Sequence, residues 1–341
     1  MMTGAFNRRT LLGSMLALAG GAALAGCSGS EPGQSTTPSP SSGEGAFPAT
    51  IENTFGSTVV EAAPSKVYSL GFTDHDAFMA LGVLPVAVTQ WFPEFAIGPW
   101  ATEARSALGG ADPKVLKDTA GTNFEAVAAA APDLISSYYS GIEKAEYDKL
   151  AALAPVLTRP AGSQPWSSTW DGQLAAIGKA LGKSEDAAKL AADVNQQLTD
   201  TGSAHPEFKG KTCSLVLPGE AGEMYVYTDL DPRYRVLTAL GFQLSPTVKS
   251  LPGVDKDFFV TISAEQVNKL DADVIGVLSN AADRAKLTSD KIWQKVPAVA
   301  AGRVAYLDLE KIGYALSFST VLSIPFALTG VAEEFGKVIA A

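Results

Sequence analysis

A line of sequence that occurs twice constrains the fold more than any other feature. Its copies are TNFEAVAAAAPDLI at 122–135 and ISAEQVNKLDADVI at 262–275. Each copy has a candidate helix N-cap, a glutamate two residues later, an apolar periodic run, and a final Asp, apolar residue and Ile. Glu125 and Glu265 occupy the same place in the two copies. A chain that repeats such a line is expected to form two similarly built units.

Strand and helix patterns alternate on both sides of the repeat. In the first half, KVYSLGF, LPVAVTQW, DLISSYY and PVLTRP predict strands, and DHDAFMALG, FEAVAAAA and YDKLAALA predict helices. The second half follows the same plan, with KTCSLVL in the place of KVYSLGF and YRVLTALGF in that of FMALGV. This alternation predicts two Rossmann-like α/β lobes, each with a mainly parallel sheet flanked by helices.

A helical connection is predicted between the lobes. We assign residues 47–165 to the first lobe, 166–205 to the linker and 206–341 to the second lobe. The linker has two apolar stripes at helical spacing, and Gly182 marks a break between them. A helix is stiffer than a loop, so we expect the lobes to tilt only slightly. Ligands bind open α/β sheets at the carboxyl ends of the strands, which here face a shared cleft.

The N-terminus has the pattern of an export signal. Residues 1–26 contain a twin-arginine basic region, an apolar stretch and a small-residue end, and LAGC resembles a bacterial lipobox. This predicts a lipoprotein signal peptide with Cys27 as the lipidated residue; a plain secretory signal that ends near a cysteine is the alternative. Residues 27–46 are rich in Ser, Pro and Gly and predict a disordered tether. We therefore expect a lipid anchor on the extracytoplasmic face of the cell membrane. Cys213 would then be the only other cysteine, and it is expected to be an inert core residue.

Charge and motif content argue against several function classes. The formal net charge is −10, which is unfavourable for binding nucleic acid. The chain has two histidines, His75 and His205, but no G-x-S-x-G turn that would supply the nucleophile of a serine hydrolase. No metal-ligand spacing is present. GKALGKS at 178–184 has one residue too few between its glycines for a phosphate loop. We expect no enzyme activity, no cofactor and no metal site.

The candidate ligand-binding residues are aromatic side chains and arginines close to predicted strand ends. Rings contact flat or apolar ligand surfaces, and arginines favour negative charge. The candidates are Trp91, Phe92, Tyr138, Tyr139, Trp166, Tyr225, Tyr227, Arg233, Arg235, Arg284 and Tyr314. Packing within the core or on the surface is the alternative for each of them. Because Tyr138 and Tyr139 are adjacent, only one of them faces the cleft if the strand stays extended.

The chain resembles the substrate-binding lipoproteins of iron-siderophore, haem and cobalamin importers, the class III periplasmic binding proteins. The resemblance rests on TFGSTVVEAAPSKVYSL, FMALGVLPVAV, NFEAVAAAAPDLI, LAALAPVL, AAIGKALG, ISAEQVNKLDADVI and IWQKVPAVAAGRVAYLD, in that order. It implies two lobes joined by a long helix, and a monomeric protein that captures a ferric siderophore and delivers it to an ABC importer. Haem and cobalamin remain alternative ligands.

The same resemblance implies roles for several residues. In this family one glutamate on each lobe reaches toward arginines of the permease subunits, and the matching positions are Glu125 and Glu265. Ferric catecholates are strongly anionic and ferric hydroxamates are neutral or weakly charged, so Arg233 and Arg235 suit either class. Haem binders ligate iron through His or Tyr, which keeps His75 a candidate. The siderophore itself fills the coordination sphere of the iron, so no direct metal ligand is required.

Overall fold

The computed structural model describes residues 45–117 and 121–339. These residues belong to one compact unit that spans residues 41–341. The predicted signal peptide, Cys27 and most of the predicted tether lie outside the described residues. Within the described part of the chain, no helix combines the length and the apolar composition needed to cross a membrane.

The first lobe is built on a parallel sheet. A hairpin of β1 (Ala49–Asn53) and β2 (Gly56–Val60) precedes it. The strands of the sheet are β3 (Val67–Ser69), β4 (Ala87–Gln90), β5 (Lys114–Lys117), β6 (Leu134–Ser137) and β7 (Val156–Thr158). Their order is β5-β4-β3-β6-β7, and all neighbours are parallel. The helices are α1 (Asp74–Ala80), α2 (Thr102–Leu108), α3 (Phe124–Ala130) and α4 (Lys144–Ala151).

Two helices connect the lobes. They are α5 (Trp170–Ala180) and α6 (Ser184–Ala204). Gly182 separates them with φ +68°, a left-handed conformation that favours glycine, as the break in the apolar stripes predicts. The 21 residues of α6 give a length of about 31 Å. One contiguous apolar cluster contains side chains of both lobes and of these helices, so the lobes share a core.

The second lobe contains a mixed sheet. Its strands are β8 (Thr212–Pro218), β9 (Met224–Tyr227), β10 (Gln243–Leu244), β11 (Phe259–Ile262), β12 (Val274–Ser279) and β13 (Val304–Asp308). The order is β11-β9-β8-β12-β13, and β10 also pairs with β8. The helices are α7 (Pro232–Ala239), α8 (Pro246–Lys249), α9 (Ala281–Ser289), α10 (Pro297–Ala300), α11 (Tyr314–Phe318) and α12 (Ser323–Ile339).

Strand β9 departs from the predicted parallel arrangement. It runs antiparallel to both β8 and β11. The reason is local: β8 and β9 are joined by the short segment 219–223, and so short a connection joins only antiparallel neighbours. Cys213 within β8 is a buried free thiol, and burial raises its pKa to about 12, in keeping with an inert core residue.

The repeated line folds differently at its start in the two lobes. In the first copy the N-cap residue Asn123 accepts a hydrogen bond from the backbone N–H of Ala126 at 2.9 Å, and α3 follows. In the second copy Ala264–Leu270 forms a 3₁₀ helix, and the side chain of Ser263 makes no capping bond. The apolar period of the second copy predicts an α-helix, and that expectation is wrong in helix type.

The final aspartates of the two copies have the same structural role. The Asp133 carboxylate accepts hydrogen bonds from the backbone N–H groups of Ser65 at 2.7 Å and Lys66 at 2.8 Å, just before β3. The Asp273 carboxylate accepts bonds from the N–H and the hydroxyl of Thr212, both at 2.8 Å, where β8 begins. Each aspartate therefore ties the start of one strand to its parallel neighbour. This common bond explains why the line ends alike in both lobes.

Candidate ligand-binding site

Two aromatic rings of the first lobe and one at the start of the linker form a stack at the carboxyl edge of the first sheet. Phe72 follows β3, Trp91 follows β4, and Trp166 lies between β7 and α5. Ring centroids of Phe72 and Trp91 are 5.6 Å apart with planes at 10°, and those of Phe72 and Trp166 are 5.1 Å apart with planes at 16°. Because β4 and β3 are adjacent and parallel, the residues after them meet at one edge. We call Trp91, Phe72 and Trp166 the ring stack.

Trp166 is held in an uncommon backbone conformation. Its φ is +61°, a left-handed value that is strained for a bulky residue. Its indole lies directly over Gly141, where a Cβ atom would come within 2.8 Å of Nε1. The ring of Tyr139 meets the indole edge-on, with centroids 5.6 Å apart. Gly141 thus makes room for an aromatic wall that any side chain would displace.

The second lobe packs its own rings against the first. Phe92, next to Trp91, has its ring centroid 4.4 Å from that of Tyr314 on α11. Phe318, at the end of the same helix, lies 5.4 Å from Trp91. The two lobes are therefore in direct aromatic contact, and a ligand between them has to part these rings.

One arginine lies among these rings. The guanidinium carbon of Arg233 is 4.5 Å from the ring centroid of Tyr227 and 5.6 Å from that of Trp91, distances typical of cation–π contacts. Its Nη1 donates to the Asp231 carboxylate at 2.7 Å and its Nε to the Ser317 hydroxyl at 3.1 Å. Arg233 is 5% exposed and Asp231 is 0% exposed. The arginine is thus a buried member of an ion pair.

The other predicted residues of this segment have different surroundings. Arg235 is half-buried, and its Nη1 donates to the backbone carbonyl of Ser167 at 2.8 Å, so it holds the segment that carries Trp166. Tyr225 lies on β9 and meets the ring of Phe259 edge-on at 5.4 Å. Arg235 therefore supports the wall of the site through the backbone.

Besides Tyr225, two more predicted residues lie outside the group of rings that contact one another across the lobes. Arg284 is exposed on α9, and its guanidinium lies 4.3 Å over the ring of Tyr306, beside a separate cavity of about 290 Å³. Tyr138 follows the end of β6 and is buried, with its hydroxyl close to Gly172 of α5. Tyr139, rather than Tyr138, contacts the rings. The expectation that only one tyrosine of the pair faces the cleft assumed an extended strand, and both residues follow β6 instead of lying in it.

Asp74 fixes the loop that carries these tyrosines, a role the sequence did not reveal. Its carboxylate accepts hydrogen bonds from the backbone N–H groups of Tyr138 at 2.7 Å and Tyr139 at 3.0 Å, and from Gln173 of α5 at 2.7 Å. A Cβ atom on Gly71 would come within 2.4 Å of this carboxylate, so glycine is required there. Burial raises the pKa of Asp74 despite these donors.

Phe72 was also missed, although a signal for it exists. It is the last residue of the predicted strand KVYSLGF, just as Trp91 and Tyr139 end LPVAVTQW and DLISSYY. Its central place in the stack depends on the position of β3 between β4 and β6, which the sequence does not state.

His75 is enclosed behind the site. It is 0% exposed, its ring meets Phe318 edge-on at 5.8 Å, and burial lowers its pKa to about 4. Phe318 separates it from the ring stack. The histidine is therefore poorly placed to ligate a haem iron between the lobes.

The two repeated glutamates point to solvent. Glu125 lies in the first turn of α3 and Glu265 in the first turn of the 3₁₀ helix, and both are exposed. Two residues further on, Val127 and Val267 are buried in their lobes. The same spacing between an exposed glutamate and a buried valine in both copies places one acidic side chain on the surface of each lobe.

Comparison with known proteins gives consistent matches. Residues 78–310, more than half of the chain, match the family model described as periplasmic binding protein. The chain is 29% identical over 273 residues to the probable siderophore-binding lipoprotein YfiY of Bacillus subtilis, covering 76% of this chain and 80% of YfiY.

Solved structures agree with these matches. PiaA of Streptococcus pneumoniae, an iron uptake ABC transporter substrate-binding protein, has been solved in complex with ferrichrome. That complex is similar with 29% identity and a TM-score of 0.75, covering 86% of this chain and 99% of PiaA. A periplasmic solute binding protein of Mycobacterium smegmatis is similar with 27% identity and a TM-score of 0.75, covering 85% and 98% of the two chains.

Proposed function

The chain belongs to the periplasmic binding protein family, and from this premise we propose that it captures a ferric siderophore and delivers it to an ABC importer. The predicted family and two-lobed α/β fold are confirmed. YfiY is named as siderophore-binding, and PiaA has been solved with ferrichrome, which supports the same ligand class for this chain. The observation that carries the proposal is the aromatic cluster around Arg233. It consists of the ring stack with Phe92, Tyr139, Tyr227, Tyr314 and Phe318.

This site suits a bulky chelate better than a reacting substrate. The rings of the stack and of Tyr139 offer flat apolar faces, which bind the organic part of a chelate by burying its surface. The siderophore supplies the iron ligands, so the protein needs no metal-binding side chain of its own. We therefore propose a binding protein without enzymatic activity or resident cofactor. Haem stays the second candidate ligand. Because His75 is enclosed, only the tyrosines of the site could ligate its iron.

A titration of tryptophan fluorescence tests the ligand class. We expect the chain from residue 28 onward to show saturable quenching by a ferric siderophore, because Trp91 and Trp166 line the site. Trp91→Leu should remove much of the signal. Trp293→Phe is the matched control, since Trp293 is buried in the second lobe away from the ring stack, and it should leave the titration intact. Quenching by haem or cobalamin alone would contradict the proposal.

Delivery is proposed to use the exposed glutamates. Glu125 and Glu265 would meet arginines of the two permease subunits, and such charge pairs set orientation and association rate more than affinity. The lipid predicted at Cys27 would keep the protein beside the permease on the extracytoplasmic face, with the protein acting as a monomer.

A double variant tests this docking. Glu125→Ala/Glu265→Ala should lower uptake roughly tenfold at limiting ligand while leaving siderophore affinity unchanged. Glu103→Ala/Glu185→Ala removes the same charge from other exposed positions and should transport normally. Equal uptake by the two double variants would exclude the assigned docking role.

A further inference from the structure

The charges around the aromatic cluster bear on which ferric chelates it accepts. Arg233 is the guanidinium in closest contact with the rings, and its charge is already matched by Asp231 at 2.7 Å. Both side chains are more than nine-tenths buried, so water does not screen the pair. Burial acts to lower the pKa of Arg233, but the charge of Asp231 and the rings beside it outweigh burial, and the pKa is raised. An ionised pair is the state that leaves no buried charge uncompensated.

The remaining charged groups add no net positive charge. Arg235 donates to the Ser167 carbonyl and supports the backbone there. On the facing side of the cluster, Glu94 hydrogen-bonds the hydroxyl of Tyr314, and Glu310 lies close enough to act on the same hydroxyl. Arg235, Glu94 and Glu310 together carry a formal charge of −1, so these three groups add no net positive charge to the site. The whole chain also carries a formal net charge of −10, which disfavours the approach of polyanions.

From this arrangement we propose that the site selects ferric chelates with little or no net negative charge, the hydroxamate class, over strongly anionic catecholates, an inference that rests on the proposed siderophore function. The rings recognise the apolar body of the chelate, and Arg233 contributes its flat face and spare N–H donors rather than a free charge. Asp231 is the specificity-determining residue, because it cancels the charge of the buried arginine that lies among the rings.

The wild-type protein gives the first test. Dissociation constants are measured by fluorescence for ferrichrome, a neutral ferric trihydroxamate, and for ferric enterobactin, an anionic tricatecholate. Ferrichrome should bind more tightly by about tenfold or more, which corresponds to roughly 1.4 kcal/mol. Tighter binding of ferric enterobactin would overturn the charge inference and leave the siderophore function standing. Binding of neither probe, nor of other ferric siderophores, would overturn the function itself.

Asp231→Asn tests the role of the aspartate directly. Asparagine keeps an oxygen to cap α7, where Asp231 accepts the N–H of Arg233 at 2.8 Å, but it unmasks the guanidinium charge. The ratio of the two dissociation constants should move toward ferric enterobactin by about tenfold, and added salt should reduce that shift. Asp112→Asn is the control, because Asp112 pairs with the partly exposed Arg105 at 2.7 Å outside the site and loses the same charge. An unchanged ratio in folded Asp231→Asn would overturn the proposal.

A second variant covers the case in which Asp231→Asn does not fold. Asp231→Asn/Arg233→Gln removes both charges and keeps the region neutral. Its preference for ferrichrome over ferric enterobactin should persist even if both affinities fall. A selective loss of ferric enterobactin binding, by tenfold or more relative to wild type, would show that Arg233 acts as an anion receptor and would contradict the inference.

Discussion

The two lobes bury an aspartate at corresponding points of their sequences and neutralise it in different ways. FTDHD precedes and opens α1 in the first lobe, and YTDLD precedes α7 in the second. The final aspartates of these segments, Asp76 and Asp231, are both 0% exposed. Asp231 is paired with Arg233 at 2.7 Å. Asp76 has no arginine or lysine partner among the described residues.

Asp76 is instead surrounded by neutral donors. It accepts hydrogen bonds from Trp100 Nε1 at 2.7 Å and, across the lobe interface, from the hydroxyl of Thr320 at 2.5 Å. The ionisable side chain beside it is His75, with Nε2 3.6 Å from the carboxylate. Burial raises the pKa of Asp76 to about 7 and lowers that of His75 to about 4. The second lobe thus holds Asp231 in an ion pair beside the ligand site, whereas the first lobe holds Asp76 among neutral donors at the contact between the lobes, where the carboxyl is neutral below about pH 7.

The largest loss of stability should follow when the ion pair between Arg233 and Asp231 in the second lobe is broken. Arg233→Met leaves Asp231 buried without its cation and should lower the free energy of unfolding by about 3–5 kcal/mol, measured by urea denaturation. Arg105→Met is the control, because its partner Asp112 is largely exposed, and a loss within about 1 kcal/mol is expected. Similar losses in the two variants would mean that the buried pair is not what stabilises the second lobe.

The neutral pair of the first lobe should show itself in pH dependence. The folded pKa of Asp76 is raised, so its stabilising contribution is full below 3.8 and is lost as pH rises to about 7. The folded pKa of His75 is lowered, so its contribution is full above 6.5 and is lost as pH falls to about 4. Between these limits the folded state holds a proton on Asp76 and the unfolded state holds one on His75. The two slopes therefore cancel in the wild type.

Removing one partner should expose the other. Asp76→Asn keeps an acceptor for Trp100 and Thr320 but leaves His75 to act alone. From pH 4.5 to 6.0 the stability of this variant should rise by about 2 kcal/mol relative to wild type. His75→Gln should show the opposite slope over the same interval. Urea unfolding curves at several pH values measure both, and parallel pH profiles in wild type and Asp76→Asn would contradict the neutral pair.

These contrasts also show what the sequence could and could not predict. The strand ends that carry Trp91 and Tyr139 were readable, because apolar runs end there. The place of Phe72 in the ring stack depends on strand order, which is a long-range property. The contact of Arg284 with Tyr306 joins α9 to β13, and nothing in the local sequence of α9 states that pairing. Local patterns give the ends of strands, whereas the partner of a side chain depends on segments distant in the sequence.

The partner of Arg233 illustrates the same limit at short range. Asp231 is only two residues away in the sequence and is the N-cap residue of α7 in the structure. Its complete burial, which turns the arginine from an anion receptor into half of a neutral pair, follows from packing within the second lobe.

Asp133 and Asp273, which each bind the start of a neighbouring strand, provide a smaller comparison between the lobes. Asp133→Ala and Asp273→Ala should each cost about 1–2 kcal/mol, because each leaves backbone N–H groups at a strand start without their acceptor. Hydrogen bonds lower the pKa of both carboxyls, against the opposing effect of burial in each. The contribution of these carboxylates to stability is therefore present above pH 3.8, their ordinary pKa, and is lost as the pH falls below it. Thermal unfolding at pH 7 and pH 3 checks both statements. A loss confined to one lobe would mean that the repeated aspartate does not serve the two lobes alike.

The smallest expected effect distinguishes the starts of the two repeated lines. Asn123 accepts the N–H of Ala126 at the start of α3, so Asn123→Ala should cost about 1 kcal/mol. The Ser263 side chain bonds the Glu265 side chain but no backbone N–H of the 3₁₀ helix, so Ser263→Ala should cost only a few tenths of a kcal/mol. Urea unfolding of the two variants under one condition measures the difference. Equal costs would imply that Ser263 caps its helix in solution, and the two copies would then differ in helix type alone. A larger cost for Asn123 would show that a side-chain cap stabilises the start of the line in the first lobe alone, although Val127 and Val267 are buried alike in the two lobes.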